Sequence, residues 1–154
     1  MVGEGDPAPD FALPDAEGTI VRLSGLKGRH AVVYFYPKDD TSGCTKEAVD
    51  FTELKPEFDR LGAEIIGISP DSVKLHAKFR GKHALKVTLL ADEEKAAIQA
   101  YGVWTQKKMY GRTYMGVERS TFLIGRDGRI IISWRGVKVP GHAAEVLAAL
   151  KKQQ

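Results

Sequence analysis

The chain has 154 residues, 43% apolar and 28% charged, and its 23 Lys and Arg exceed its 20 Asp and Glu by a net charge of +3. A chain of this size can bury one good core, and its apolar content excludes a disordered segment. The cationic excess is too small and too interspersed to mark a nucleic-acid partner.

The longest apolar runs, Ala31–Tyr36 and Ile130–Trp134, are of strand length and far too short to span a bilayer. The opening stretch MVGEGDPAPDF is acidic and rich in Pro and Gly, so no secretory leader is expected. Cys44 is the only cysteine, which rules out an intramolecular disulfide and makes a reducing cytoplasm the expected compartment.

No repeat, low-complexity tract or linker interrupts residues 1–154, which read as one domain. FALPDAEGTIVRL predicts two short strands around the turn Asp15–Gly18. HAVVYFYP is a β-branched and aromatic run stopped by Pro37, the pattern of a strand buried on both faces. From Thr45 to Leu61 the spacing predicts a helix, with Cys44, Ala48, Phe51, Leu54, Phe58 and Leu61 on one apolar stripe. Pro56 inside that pattern is expected to kink or split it.

AEIIGIS predicts a second buried strand, and Pro70-Asp71-Ser72 opens a helix with apolar positions Val73, Leu75, His76 and Phe79. VTLLAD reads as a strand and Glu93 to Tyr101 as a helix ended by Gly102. STFLIG and RIIISWRG flank Arg126-Asp127-Gly128, a hairpin signal, and Pro140 to Lys152 forms a last amphipathic helix. Strands alternating with helices predict an α/β fold: a central mixed sheet with helices on both faces and an N-terminal β-hairpin.

Periodicity alone leaves Cys44 open between a buried apolar filler and a nucleophile. Its position after Pro37, on a loop leading to a helix N-terminus, favours an anion such as a thiolate. Thr41-Ser42-Gly43 adds hydroxyls and a glycine that lets backbone approach a ligand. For any thiol, a pKa falling from about 8.5 to near 6 raises the ionised fraction at neutral pH only about 30-fold. Fast thiol chemistry therefore also needs orientation and a stabilised leaving group.

YFYPKDDTSGCT resembles the active-site segment of peroxiredoxins, Pro37, Thr41 and Cys44 matching its Pro-x-x-x-Thr-x-x-Cys pattern. GDPAPDFALPD, GISPDS, LLAD, YGVW and ERSTFLIGRDG extend the resemblance along nearly the whole chain, toward the bacterioferritin-comigratory-protein or PrxQ subgroup. The resemblance implies a thioredoxin-like fold and thiol-dependent reduction of hydrogen peroxide and organic hydroperoxides. It makes Cys44 the peroxidatic thiolate, Thr41 the hydroxyl that bonds sulfur and peroxide, and Arg119 the arginine that polarises the O–O bond. Pro37 would shield the sulfur, the amides of Gly43 and Cys44 would complete the anion site, and Glu47 would orient Arg119.

Where many members of that subgroup carry a resolving cysteine, this chain has Val49 or the Phe79–Arg80 region. A one-cysteine cycle follows, in which an external thiol (thioredoxin, glutaredoxin, a small thiol or a second protomer) resolves the sulfenic acid. The resemblance further implies a monomer or weak dimer. A thiol transferase is disfavoured because Glu47 stands where a Cys-x-x-Cys partner would. The competing reading is a redox sensor or holdase-like protein whose partner surface switches when Cys44 is oxidised. The scattered His30, His76, His83 and His142 suggest no metal, and no cofactor is expected. Lys107–Gly116, KKMYGRTYMG, is basic with interleaved aromatics and is expected as a mobile loop near the active site.

Overall fold

A computed structural model describes residues 2–154. Strand β1 (Ala12–Pro14) and β2 (Ile20–Arg22) form the expected N-terminal hairpin, followed by a 3-10 turn at Leu23–Leu26. Then come β3 (His30–Phe35), α1 (Ser42–Arg60), β4 (Ala63–Ser69), α2 (Val73–His83), β5 (Thr88–Ala91) and α3 (Ala96–Ala100). The chain closes with β6 (Trp104–Met109), β7 (Arg112–Val117), β8 (Ser120–Ile124), β9 (Ile130–Arg135) and α4 (His142–Lys151). Among the described residues no helix is long and apolar enough to cross a membrane.

The central sheet runs β5-β4-β3-β8-β9, with β3, β4 and β5 parallel and β8 and β9 antiparallel to their neighbours. All six residues of β3 are buried, which explains its unbroken apolar sequence. Alternation sends Val32 and Tyr34 into one core with Phe51 and Phe58 of α1, Phe79 of α2 and Val146 and Leu150 of α4. Ala31, Val33 and Phe35 enter the opposite core with Phe11, Leu23 and α3's Ile98. This is the mixed, helix-flanked sheet of a thioredoxin-like fold.

Several expectations need correction. Helix α1 begins at Ser42 rather than Thr45, because Asp40 at φ 61° reverses the chain and Thr41 enters in an extended conformation. Pro56 does not divide the helix, which packs buried residues on both sides of it, Phe51 and Phe58. In α2 the buried face runs through His76 and Phe79, and Leu75, a step of 100° away, is exposed. Helix α3 starts only at Ala96, where the Asp92 carboxylate accepts hydrogen bonds from the Ala96 and Ile98 amides. Helix α4 starts two residues after Pro140.

The largest departure is at Lys107–Gly116, which is no loop. Strands β6 and β7 pair antiparallel from Trp104↔Val117 to Met109↔Arg112 around Tyr110 and Gly111. Both turn residues have positive φ, 53° and 74°, as a primed hairpin turn requires. Tyr-Gly is not the usual Asn-Gly signature of such a turn, and an exposed two-stranded ribbon needs no apolar alternation.

Candidate active site

The carboxyl end of β3, the loop 37–41 and the first turn of α1 converge on Cys44. The thiol sits inside that first turn rather than on the loop before it, and it is 2% exposed. Among the described residues no carbonyl accepts the Gly43 or Cys44 amide, since the first helical bond runs from Thr45 N–H to the Thr41 carbonyl at 2.8 Å. These free donors and the positive end of the helix dipole lie in the turn that carries the sulfur, an arrangement that suits an anion.

Arg119, just before β8, reaches back across 75 residues and donates from Nη2 to Cys44 Sγ at 3.2 Å. Its Nη1 donates to Glu47 Oε1 at 2.6 Å. Glu47 lies one turn after Cys44, so its carboxylate stands behind the guanidinium and fixes its plane. Gly43 forms the floor: a Cβ there would lie 3.3 Å from Arg119 Nη2. Any larger residue at 43 would press on the guanidinium that bonds the sulfur.

The charges in this cluster are unequal. Burial pushes the Glu47 carboxyl up to about 7, against the pull of Arg119, and its Oε2 has no hydrogen-bond partner among the described residues. Burial alone would weaken the Arg119 charge, but Glu47 and Cys44 more than offset it and hold its pKa above the usual value. The guanidinium therefore stays cationic, while Glu47 is balanced between its two forms near neutral pH. Tyr34, stacked on Phe51 beneath the helix, keeps a buried hydroxyl that also lacks a partner among the described residues.

Thr41 departs from expectation. Its Oγ1 donates to the Lys38 carbonyl at 3.0 Å, makes no capping bond to α1, and has no hydrogen bond to Cys44 Sγ among the described residues. With its proton committed, the exposed hydroxyl offers lone pairs to a hydroxyl-bearing ligand. Pro37 is half-buried at the end of β3. Val49 packs against the core, Phe79 is buried, and Arg80 Nε donates to the Val87 carbonyl at 3.2 Å.

Sequence reading missed the network that holds the loop. Asp39 is 8% exposed: its Oδ1 accepts from Tyr36 Oη at 2.6 Å, and its Oδ2 lies 2.6 Å from His76 Nδ1. The Asp39 amide donates to Asp71 Oδ2 at 2.8 Å, and the same oxygen accepts from Ser69 Oγ at 2.6 Å. His76 Nε2 bonds the Leu90 carbonyl at 2.9 Å. A carbonyl only accepts, so Nε2 carries a proton and a single further proton is held between Nδ1 and Asp39. Ligand-type atoms of Asp39, Asp71 and His76 lie within 4.8 Å of one another, and these hydrogen bonds engage them. A second tie joins Asp40 to Lys82 at 2.6 Å and His83 at 2.8 Å. Helix α2 thus clamps the loop that carries Thr41 toward the thiol. The partners are more than thirty residues apart, and only His76 on a buried helix face hinted at them.

Lys107, on β6, also belongs to the surroundings of the site. Burial lowers its pKa and the like charge of Arg119 adds to this, while Cys44 and Glu118 oppose the shift.

Residues 4–133 match the AhpC/TSA family. The chain is 52% identical over 147 residues to a peroxiredoxin Bcp of Bacillus subtilis, covering 96% of this chain and 94% of the relative. It is 48% identical to peroxiredoxin Bcp of Xanthomonas campestris, covering 94% and 92%. The solved structure of the Xanthomonas campestris bacterioferritin comigratory protein, described for its alkyl peroxide reduction activity, superposes with a TM-score of 0.89. Identity there is 46%, over 93% of this chain and 91% of that one. A BcpB of Mycobacterium tuberculosis gives a TM-score of 0.88 at 35% identity, covering 100% and 99%. With the cysteine-arginine geometry, near-full-length identity and matching fold in agreement, the chain belongs to the AhpC/TSA family as a peroxiredoxin of the Bcp/PrxQ group.

Proposed function

We propose that this thiol-dependent peroxidase reduces hydrogen peroxide and organic hydroperoxides at Cys44 in a one-cysteine cycle. The observation that carries the assignment is the Arg119 Nη2 bond to Cys44 Sγ at 3.2 Å, made at the open N-terminus of α1. The thiolate attacks the near peroxide oxygen, the O–O bond breaks, and sulfur gains an oxygen as Cys44–SOH. The far oxygen leaves as hydroxide or alkoxide and takes up a proton. Charge moves from sulfur to the leaving oxygen, where Arg119 and the Gly43 and Cys44 amides stabilise it. Thr41 Oγ1 accepts the peroxide hydrogen, Glu47 holds Arg119 in plane, and Pro37 limits water at the sulfur.

No second thiol exists to trap the product, because Cys44 is the only cysteine. An external thiol attacks Cys44–SOH, water departs, and a second thiol releases Cys44 from the mixed disulfide. Thioredoxin, glutaredoxin and small thiols fit that chemistry. We read residues 1–154 as one domain, acting as a monomer or weak dimer in a reducing cytoplasm, which the lone unpaired thiol supports.

Steady-state peroxide consumption with thioredoxin, glutaredoxin and dithiothreitol supplied separately tests the assignment. Turnover with at least one of them, abolished by Cys44→Ser, is expected. Wild-type protein that consumes no peroxide catalytically with any thiol would leave the redox-sensor reading in its place.

A further inference from the structure

Among the described residues six large apolar side chains are exposed, and four of them, Met109, Tyr110, Tyr114 and Met115, lie on the β6–β7 hairpin, with Tyr110 97% exposed. The same ribbon carries Lys107, Lys108 and Arg112, none of which joins a salt bridge among the described residues. Cross-strand pairing Lys107↔Tyr114 and Met109↔Arg112 puts two cations, a methionine and a tyrosine on one face. The stem of Lys107 lies over Gly116, whose added Cβ would be 3.2 Å from Lys107 Cδ. That face adjoins the reaction, because β7 ends at Val117, two residues before the Arg119 that donates to Cys44 Sγ. Exposed aromatic and methionine side chains among unpaired cations are what a protein interface uses, and a structural hairpin has no need of them.

We propose that this hairpin is the docking face for the protein dithiol that reduces oxidised Cys44. The partner's reactive cysteine would be set in an acidic and apolar rim. The inference rests on the one-cysteine peroxidase reading, which makes an external thiol obligatory. The rim's carboxylates meet Lys107 and Arg112, and its apolar ring covers Tyr110, Tyr114 and Met109. This aligns the partner's sulfur with Cys44. Its thiolate then attacks Cys44–SOH, forming an S–S bond and releasing water. Its second thiol attacks the partner's own sulfur in that bond, returning Cys44 as thiolate and leaving the partner oxidised to a disulfide. Two electrons pass from the dithiol to the sulfenic acid.

The test uses the full chain with a thioredoxin of net negative charge, its reductase and NADPH, and in a parallel arm dithiothreitol, which is uncharged. The charge variant Arg112→Glu and the variant Tyr110→Ala alter exposed positions. Both are expected to lower kcat/KM for thioredoxin by about tenfold or more, and the charge variant should flatten its dependence on salt. Turnover with dithiothreitol and single-turnover oxidation of Cys44 by hydrogen peroxide should change less than about twofold. Equal loss in both arms, or no loss in either, overturns the proposal. So does reduction of the wild type by dithiothreitol but not by thioredoxin. A wild-type dimer in sedimentation velocity that Tyr110→Ala dissociates would assign the face to a second copy instead. Failure of Cys44 to oxidise at all would sink the peroxidase reading first, and the single-turnover arm reports that separately.

Discussion

Replacing Glu47 by glutamine keeps a carbonyl oxygen for Arg119 Nη1 and removes a carboxyl whose ionisation the fold resists. Glu47 is 1% exposed, and among the described residues only one of its oxygens is bonded, to Arg119 at 2.6 Å. Moving its pKa from 4.5 to about 7 makes the ionised side chain about 3 kcal/mol less favourable in the folded than in the unfolded chain. Because the folded value is the higher one, this contribution to stability is fully present below 4.5 and is lost as the pH rises through about 7. The glutamine variant has no such loss. The difference in unfolding free energy between Glu47→Gln and wild type should therefore shift by about 3 kcal/mol in the variant's favour between pH 4.5 and pH 8. Urea titrations of both reduced proteins at several pH values measure it, and taking the difference removes every carboxylate the two share. Parallel stability curves would refute the argument, since they would mean that Glu47 ionises in the folded protein as easily as in water.

Substitutions at four other positions probe the site and its supports. Arg119→Ala removes the donor to Sγ and should slow Cys44 oxidation by roughly 10²–10³-fold in stopped flow; an unchanged second-order rate takes Arg119 out of the mechanism. Thr41→Val should slow the same step more than Thr41→Ser, because in the proposed cycle the hydroxyl and not the methyl meets the peroxide; equal losses would reduce Thr41 to a structural role. His76→Leu leaves buried Asp39 short of a partner and the Leu90 carbonyl bare, a loss of about 3 kcal/mol or more in urea unfolding. It should also raise amide exchange across the loop 37–41, and a variant as stable as wild type would show that the clamp does not hold the loop. Gly67→Ala puts a Cβ 2.6 Å from Tyr34 Cζ in a fully buried site, so Tm should fall by several degrees, for about 2 kcal/mol of overpacking. An unchanged Tm would mean that Tyr34 has room to move.

What could be read from the chain, and what could not, divides by range. The strand–Pro–loop–helix context of Cys44 is local, and the pattern linking it to Pro37 and Thr41 lies within eight positions of the printed sequence. Arg119 is 75 residues away and became visible only through a resemblance that spans the whole chain. The Asp39–His76 clamp has no local signature, because a loop carboxylate and a helical histidine mean nothing until β3 and α2 are packed together. Lys107–Gly116 looked like a loop because polar, two-sided ribbons lack the apolar alternation that marks a strand. Thr41 was placed correctly at the helix entrance, yet its hydroxyl turned to the Lys38 carbonyl, a choice of rotamer that spacing does not encode. Leu75 failed for a similar reason: an apolar residue one step off the buried face is exposed despite its chemistry.

The central claim is that Cys44 begins a cycle that nothing else in the chain can finish. Reduced protein mixed with one equivalent of hydrogen peroxide, quenched at intervals and read by intact mass, tests it directly. The account predicts a species heavier by one oxygen, confined to Cys44 and trapped by dimedone, that persists until a thiol is added and then passes through a mixed disulfide. Excess peroxide should carry the same sulfur on to the sulfinic acid. Protein that takes up no oxygen at Cys44, or whose sulfenic acid vanishes without an added thiol, would contradict it.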